Sequence, residues 1–299
     1  MINRLLDEVA ARTRPASLVF TGLAVALVAY DWYLLTSTGG SPVDALQYWR
    51  ADPNNLYPHP ELLHENGYNY SPAFELVIGW GRNLPFDTFV AIWRALLLAT
   101  LVWLAGPWTL LVLFTVPVAS EINAANIQLL LAAAIVLGFR GGFWPLTWTF
   151  VLLTKVTPGV GLLWFLLRRR WRELAIAVIG TVVVAGITFV IWPERWFGWI
   201  ALLLEGSPPP VPPYNLPLIP RLAAAVVIIV LAAWRGWRWP VVVAGMLALP
   251  AFFTLSPSML VGVLPFGRAA VGRWASARVQ ARAQRLRAQG NAAGSILAT

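Results

Sequence analysis

Residues 153–192 read LTKVTPGVGLLWFLLRRRWRELAIAVIGTVVVAGITFVIW. Two apolar runs flank a joint that holds Arg168, Arg169, Arg170 and Arg172. As a helix, Leu174 to Trp192 is long enough to cross a hydrocarbon core of about 30 Å. Arginines crowded against the start of such a run mark the cytoplasmic side, because short loops rich in Lys and Arg stay there. The stretch therefore predicts an all-α membrane protein.

The same alternation continues in both directions. Of 299 residues, 59% are apolar and 12% charged, against about 45–50% and about 25% in a soluble domain. A soluble globular protein is excluded. The net charge of +9 does not point to nucleic acid, since the basic residues sit at the ends of apolar runs and not among exposed aromatics. Many of the 17 Trp, including Trp32, Trp103, Trp171, Trp192, Trp196, Trp237 and Trp239, also lie near run ends, as in an interfacial aromatic belt. With no Cys, disulfides and thiolate metal sites are excluded. A cleavable signal peptide is not expected, because Asp7 and Glu8 stand among the first arginines and Ser17 to Ser37 is long enough to span.

Eleven apolar segments can be marked, at about 16–36, 71–81, 86–105, 107–119, 124–139, 143–154, 157–167, 173–192, 218–234, 239–255 and 258–267. Arg4, Arg12 and Arg14, the joint at 168–172, Arg235 with Arg238, and the arginines from Arg268 to Arg287 all fall inside by charge. Both termini are then cytoplasmic and the number of crossings even. Segment 71–81 is short and contains Glu75, so it is expected to lie on the outer surface as a juxtamembrane helix, leaving a bundle of about ten spans. An alternative keeps 71–81 as a span and fuses 143–167. Either way the chain divides into a cytoplasmic N-terminus (1–15), a transmembrane domain (16–267) with outer loops at 37–70 and 193–217, and a basic cytoplasmic tail (268–299). In the tail, Arg278, Arg282 and Arg285 share one helical stripe and Ala275, Val279 and Leu286 another, a pattern suited to an anionic inner leaflet.

Polar residues that could carry chemistry are few. Asp44 opens DALQYWRA just beyond the first span. Lys155, the only lysine, stands between two apolar runs, where an unpartnered lysine costs about 2.5–3.5 kcal/mol. A lipid phosphate is a natural partner for it, as is an internal one. Arg94 in AIWRALLLA is similarly embedded and could hold phosphate or pair with Glu121. Glu121 and Asn123 lie in ASEINAANI, between two apolar segments. His59 and His64 in PHPELLHE are spaced five apart across Pro60, so one helix face cannot present both, and surface histidines are expected. No glycine-rich nucleotide loop is present.

The order of DALQYWRA, NLYPHPELL and YNYSPAFELV, followed by NAANIQLLL, LTKVTPGVGLLWFLLRRRWREL, PYNLPLIPRL and LSPSMLVGVLP, resembles the glycosyltransferase family 87 proteins, polyprenyl-phosphate-mannose-dependent enzymes of the GT-C class. The likeness covers about residues 16–266, with Ser71-Pro72 where the family usually has Pro-Pro. It implies an inverting transfer of a sugar, mannose above all, on the extracytoplasmic face of the plasma membrane. Asp44 falls on the family's catalytic aspartate, the general base. Lys155 and Arg94 become candidates for the donor phosphate, and Tyr48, Tyr57, Tyr70, Glu121, Asn123 and Asn215 for substrate contacts. The expected partners are a lipid-linked sugar donor, a glycolipid or glycan acceptor and membrane lipids, with no nucleic acid, no metal and no cofactor. A transporter or lipid flippase, or a non-catalytic subunit of a glycosylating complex, are the rival expectations.

Overall fold

The structure, a computed structural model, describes residues 22, 42–59, 67–205 and 217–268. Its principal helices are α1 (Val43–Arg50), α2 (Phe86–Ala105), α3 (Val116–Ala124), α4 (Gln128–Gly138) and α5 (Thr147–Thr154). They continue with α6 (Leu162–Leu167), α7 (Trp171–Ile191), α8 (Pro193–Glu205), α9 (Leu218–Arg235) and α10 (Pro240–Leu247). Short helical turns fill the joints, and the described residues contain no strand. The segment expected at 1–15, that at 16–36 apart from residue 22, the loop residues 60–66 and 206–216 with His64 and Asn215, and the tail beyond Arg268 lie outside the described residues.

Proline and glycine set the ends of the long helices. Pro85 precedes α2 and Gly106, at φ 57°, closes it; Pro217 precedes α9, and Gly236, at φ 71°, lets its amide return to the carbonyls of Ala232 and Ala233. Such left-handed positions are open to glycine without a Cβ penalty. Helix α7 stops at Trp192 because Pro193 cannot continue the ladder. Along α7, Val182, Val183, Ile187 and Val190 are exposed, as a lipid-facing helix requires. Three helical stretches are long and apolar enough to cross a membrane, namely Phe86–Leu113, Trp171–Ile191 and Leu218–Arg235. They mark the chain as a membrane protein.

About ten crossings were expected, and the described residues do not supply them. The count rises to four at most, if the pair α3 and α4, bent by 107°, is taken as one span. Segments 124–139, 143–154, 157–167 and 239–255 form helical runs of 11 residues or fewer, and 258–267 lies in a described run of 13. Eleven residues rise only about 16 Å at roughly 1.5 Å each, half of what a bilayer core demands. Hydropathy identified these segments and overstated their reach. Segment 71–81 likewise does not span; it is a succession of turns, Pro72–Phe74, Glu75–Ile78 and Gly79–Asn83, with Phe74, Glu75 and Ile78 buried.

The short runs share a common floor. Arg268 donates to the carbonyls of Trp103 and Leu104 at 2.9 and 2.8 Å, and Arg140 lies over the Trp103 ring at 5.1 Å. Nearby, Arg238 donates to Phe139 O, Arg168 to Ala233 O, and the Trp164 indole to Trp237 O. Phe139 packs on Trp164, Phe165 and Phe266. Thus the ends of α2, α4, α6 and α9 meet the tail in one arginine-rich layer, where cations neutralise the negative ends of helices. Close approach among the short runs rests on small residues: a Cβ on Gly161 would collide with the Trp148 ring.

Candidate functional site

At the opposite ends of the short runs lies a second polar layer, and α1 supplies its carboxylate. In VDALQYWR, Asp44 and Tyr48 are one helical turn apart and so share a face. Tyr48 is fully buried, with its ring 5.4, 5.7 and 5.6 Å from those of Tyr70, Phe74 and Trp93. Its hydroxyl shares a 3.1 Å hydrogen bond with that of Tyr70. This packing pins α1 against α2 and leaves Asp44 half-buried.

The partner of Asp44 comes from the break between α3 and α4. There Ala125 takes the left-handed conformation, at φ 55°, and the chain turns before α4 begins at Gln128. Asn126, buried at the break, uses both ends of its amide: Nδ2 donates to Asp44 Oδ2 at 2.8 Å, and Oδ1 accepts from Ile127 N at 2.6 Å. Trp93 Nε1 donates to Asn126 O at 3.3 Å. The asparagine therefore has one orientation, and so does the carboxylate it holds.

Glu121 stands beside this break. Its Oε1 accepts from Leu129 N at 3.2 Å, as a carboxylate at a helix N-terminus does. Its Oε2 and both polar side-chain atoms of Gln128 are buried and have no hydrogen-bond partner among the described residues. Arg94 reaches the other side of the break, the end of α3, and meets main chain: Nε donates to Ile122 O at 3.0 Å and Nη2 to Asn123 O at 2.5 Å, with Asn123 Oδ1 at 3.5 Å.

Lys155 arrives from the turn after α5. Its backbone is extended, at φ −138°, and the next helical turn restarts at Thr157 and Pro158. Ser71 Oγ donates to Leu153 O, a bond that proline at this position could not make. The Lys155 ammonium lies 5.9 Å from the Tyr70 ring centroid and within electrostatic reach of Asp44 and Glu121. Burial pushes the Asp44 carboxyl above its ordinary pKa, opposed by the charge of Lys155 and the bond from Asn126. Desolvation makes the carboxylate more basic, and the cation keeps its ionised form accessible.

The structure thus brings together Asp44, Tyr48, Tyr70, Glu121 and Lys155. Arg94 and Asn123 sit at the edge, engaged with one another and with the end of α3, and Asn123 is exposed. Tyr57 lies one shell out, its hydroxyl donating to Tyr70 O at 2.7 Å. Asn215 is outside the described residues, and no group of three or more His, Cys, Asp or Glu is placed to hold a metal ion among those described. Sequence reading missed Asn126 and Gln128. Their signal was present in NAANIQLLL, where two amides sit at the head of an otherwise apolar run, a costly placement without a task.

Such a layer can accept a proton at Asp44 and neutralise an anion at Lys155, on a support of buried aromatic rings. No protein-family model matches the chain, and neither a curated protein nor a solved structure matches it, so the likeness to family 87 rests on the quoted sequence blocks alone.

Proposed function

We propose that this chain is a membrane glycosyltransferase that moves a sugar, mannose above all, from polyprenyl phosphate to a hydroxyl of a glycolipid or glycan acceptor. The observation that carries the proposal is the pairing of an oriented carboxylate, Asp44 held by Asn126, with the single lysine of the chain, at the tip of an 11-residue helical arm. In this mechanism Asp44 takes the proton of the acceptor hydroxyl. The acceptor oxygen bonds to the anomeric carbon from the face opposite the phosphate, the carbon–phosphate-oxygen bond breaks, and polyprenyl phosphate leaves with the electron pair. The anomeric centre inverts. Phosphate is already a good leaving group, so the protein must chiefly position the reactants and neutralise charge. Lys155 supplies that charge, and the buried rings of Tyr48 and Tyr70 support the helix turn that presents Asp44.

In the same proposal the arginine layer faces the cytoplasm of a plasma-membrane protein. The runs α3–α4, α5–α6 and α10 with Ser256–Val263 then enter from that side and turn back at half depth. With the span that the sequence predicts at 16–36, α2, α7 and α9 would make four crossings, an even number that keeps both termini inside. Lys155 sits at the tip of the α5–α6 hairpin with Asp44 of α1 beside it, toward the outer side, where an amphiphilic donor can bring its phosphate while its chain stays in lipid.

One feature also suits a carrier: a helix broken beside buried polar groups, as at Ala125, is how transporters build midplane sites. An assay with the purified protein in sealed vesicles and radiolabelled polyprenyl-phosphate mannose separates the two. Transfer yields labelled acceptor and free polyprenyl phosphate. Label that crosses the bilayer with no glycoside formed would overturn the enzyme in favour of the carrier.

A further inference from the structure

Away from Asp44, the chain folds a cleft of about 460 Å³ between residues 53–57 and the corner where α7 gives way to α8. Its walls include Asn54, Asn55, Tyr57, Trp192, Glu194 and Arg195. The volume lies in the range of small-ligand sites, and the lining chemistry is selective. Tyr57 and Trp192 give apolar ring surfaces. Two amides, a carboxylate and a guanidinium give planar donors and acceptors, and the opposite charges of Glu194 and Arg195 cancel. A polyhydroxylated neutral ligand fits this balance; a phosphate, which needs net positive charge, does not.

The cleft is also built to keep its shape. Arg195 stacks over Trp192 at 4.4 Å, which fixes both the ring and the donors. Gly198, on the next turn of α8, lets the Tyr57 ring approach, since a Cβ there would lie 3.2 Å from Tyr57 Cδ2. The Tyr57 hydroxyl is bonded to Tyr70 O, and the Tyr70 hydroxyl to that of Tyr48, one turn from Asp44. Hydrogen bonds through Tyr57, Tyr70 and Tyr48 therefore tie the wall of the cleft to the helix turn that carries Asp44.

We infer that this cleft is the subsite for the non-reacting sugar units of the acceptor, which it holds while the attacking hydroxyl reaches Asp44. The inference rests on the glycosyltransferase proposal for its choice of ligand, and it separates the acceptor from the lipid phosphate at Lys155. Binding energy gained there, remote from the reacting atoms, positions the hydroxyl for attack.

The test uses the full chain in detergent, with free mannobiose as probe in saturation-transfer NMR and, in parallel, transfer kinetics with donor and acceptor varied separately. Trp192→Ala, Glu194→Gln and the exposed Asn55→Ala are each expected to weaken mannobiose binding about tenfold and to raise the acceptor KM by a similar factor, with the donor KM unchanged. Asp44→Asn is expected to bind mannobiose as wild type does. If wild type transfers sugar while all three variants keep the wild-type acceptor KM, the subsite is refuted and the enzyme stands. If mannobiose binds and the variants abolish that binding but no glycoside is ever made, the cleft stands and the transferase proposal falls. Absence of mannobiose binding to wild type refutes the cleft.

Discussion

Two polar layers cross this apolar protein, and they treat their charges in opposite ways. In the arginine layer Arg168, Arg238 and Arg268 end on main-chain carbonyls of neighbouring helices, and at the far end of α9 Arg221 gathers Leu247 O, Leu249 O and Pro250 O at 2.8, 2.7 and 3.3 Å. Those cations add donors at helix ends, where the last carbonyls run short of partners within their own helix. Around Asp44 the polar atoms exceed their partners: Glu121 Oε2 and the Gln128 amide are buried without a hydrogen bond among the described residues. Buried polar groups are rarely left so, because the cost is about 1–3 kcal/mol each. Saturated polarity holds helices together, and unsaturated polarity is what a ligand can complete.

Substitutions should divide along that line. Lys155→Met is expected to lower kcat/KM for the donor by about 10²–10³-fold, the scale of losing a charge-stabilising donor, with the yield of folded protein unchanged. Lys155→Arg should restore part of the loss, since it returns charge without the same geometry. Unaltered donor kinetics in Lys155→Met would place the lysine with the structural cations. Next in size is Asn126→Ala, which frees the Asp44 carboxylate to turn; a reduction in kcat of about 10–10²-fold is expected from lost orientation, measured at saturating donor. Arg221→Met should behave in the contrary sense, costing about 1–3 kcal/mol of stability through orphaned carbonyls. Its melting temperature in detergent should fall by several degrees while KM values stay within twofold. A transfer defect without a stability defect would break the distinction between the layers.

A subtler effect concerns pH. In the proposed mechanism Asp44 takes a proton only when ionised, so kcat/KM should rise with pH through its elevated pKa and level off above it. The bond from Asn126 favours the ionised form, and removing it raises the pKa further. In Asn126→Ala the acid limb of the profile should therefore move to higher pH. A limb that stays in place or moves to lower pH would detach the titration from Asp44.

Legibility in the sequence followed the length of the apolar runs. Segments 86–105, 173–192 and 218–234 coincide with α2, α7 and α9 to within two residues, because near-continuous apolar sequence of that length has no alternative but a helix. The shorter runs were found and their depth overstated: nothing in QLLLAAAIVLG tells whether its Leu and Ile meet lipid or protein, and here Leu129, Leu131 and Ile135 are fully buried among neighbouring runs. At the site, Asp44 and Lys155 stood out by chemical rarity. Asn126 did not, since its contact with Asp44 spans 82 positions and arises from a turn at Ala125, an alanine with no outward sign of left-handed geometry. Arg94 illustrates the converse, a conspicuous embedded cation whose bonds to Ile122 O and Asn123 O serve the helix end.

Asp44 is where sequence resemblance and geometry meet, and asparagine is its closest neutral copy. With purified protein, a polyprenyl-phosphate mannose donor and an acceptor, Asp44→Asn should cut turnover by about 10²–10⁴-fold, the range for loss of a general base, with donor binding and melting temperature near wild type. Asp52→Asn, whose carboxylate accepts from the amide of Asn54 in an exposed turn, should stay within a few-fold of wild type. An Asp44→Asn enzyme that retained most of its transfer activity would contradict the assignment of this carboxylate as the base.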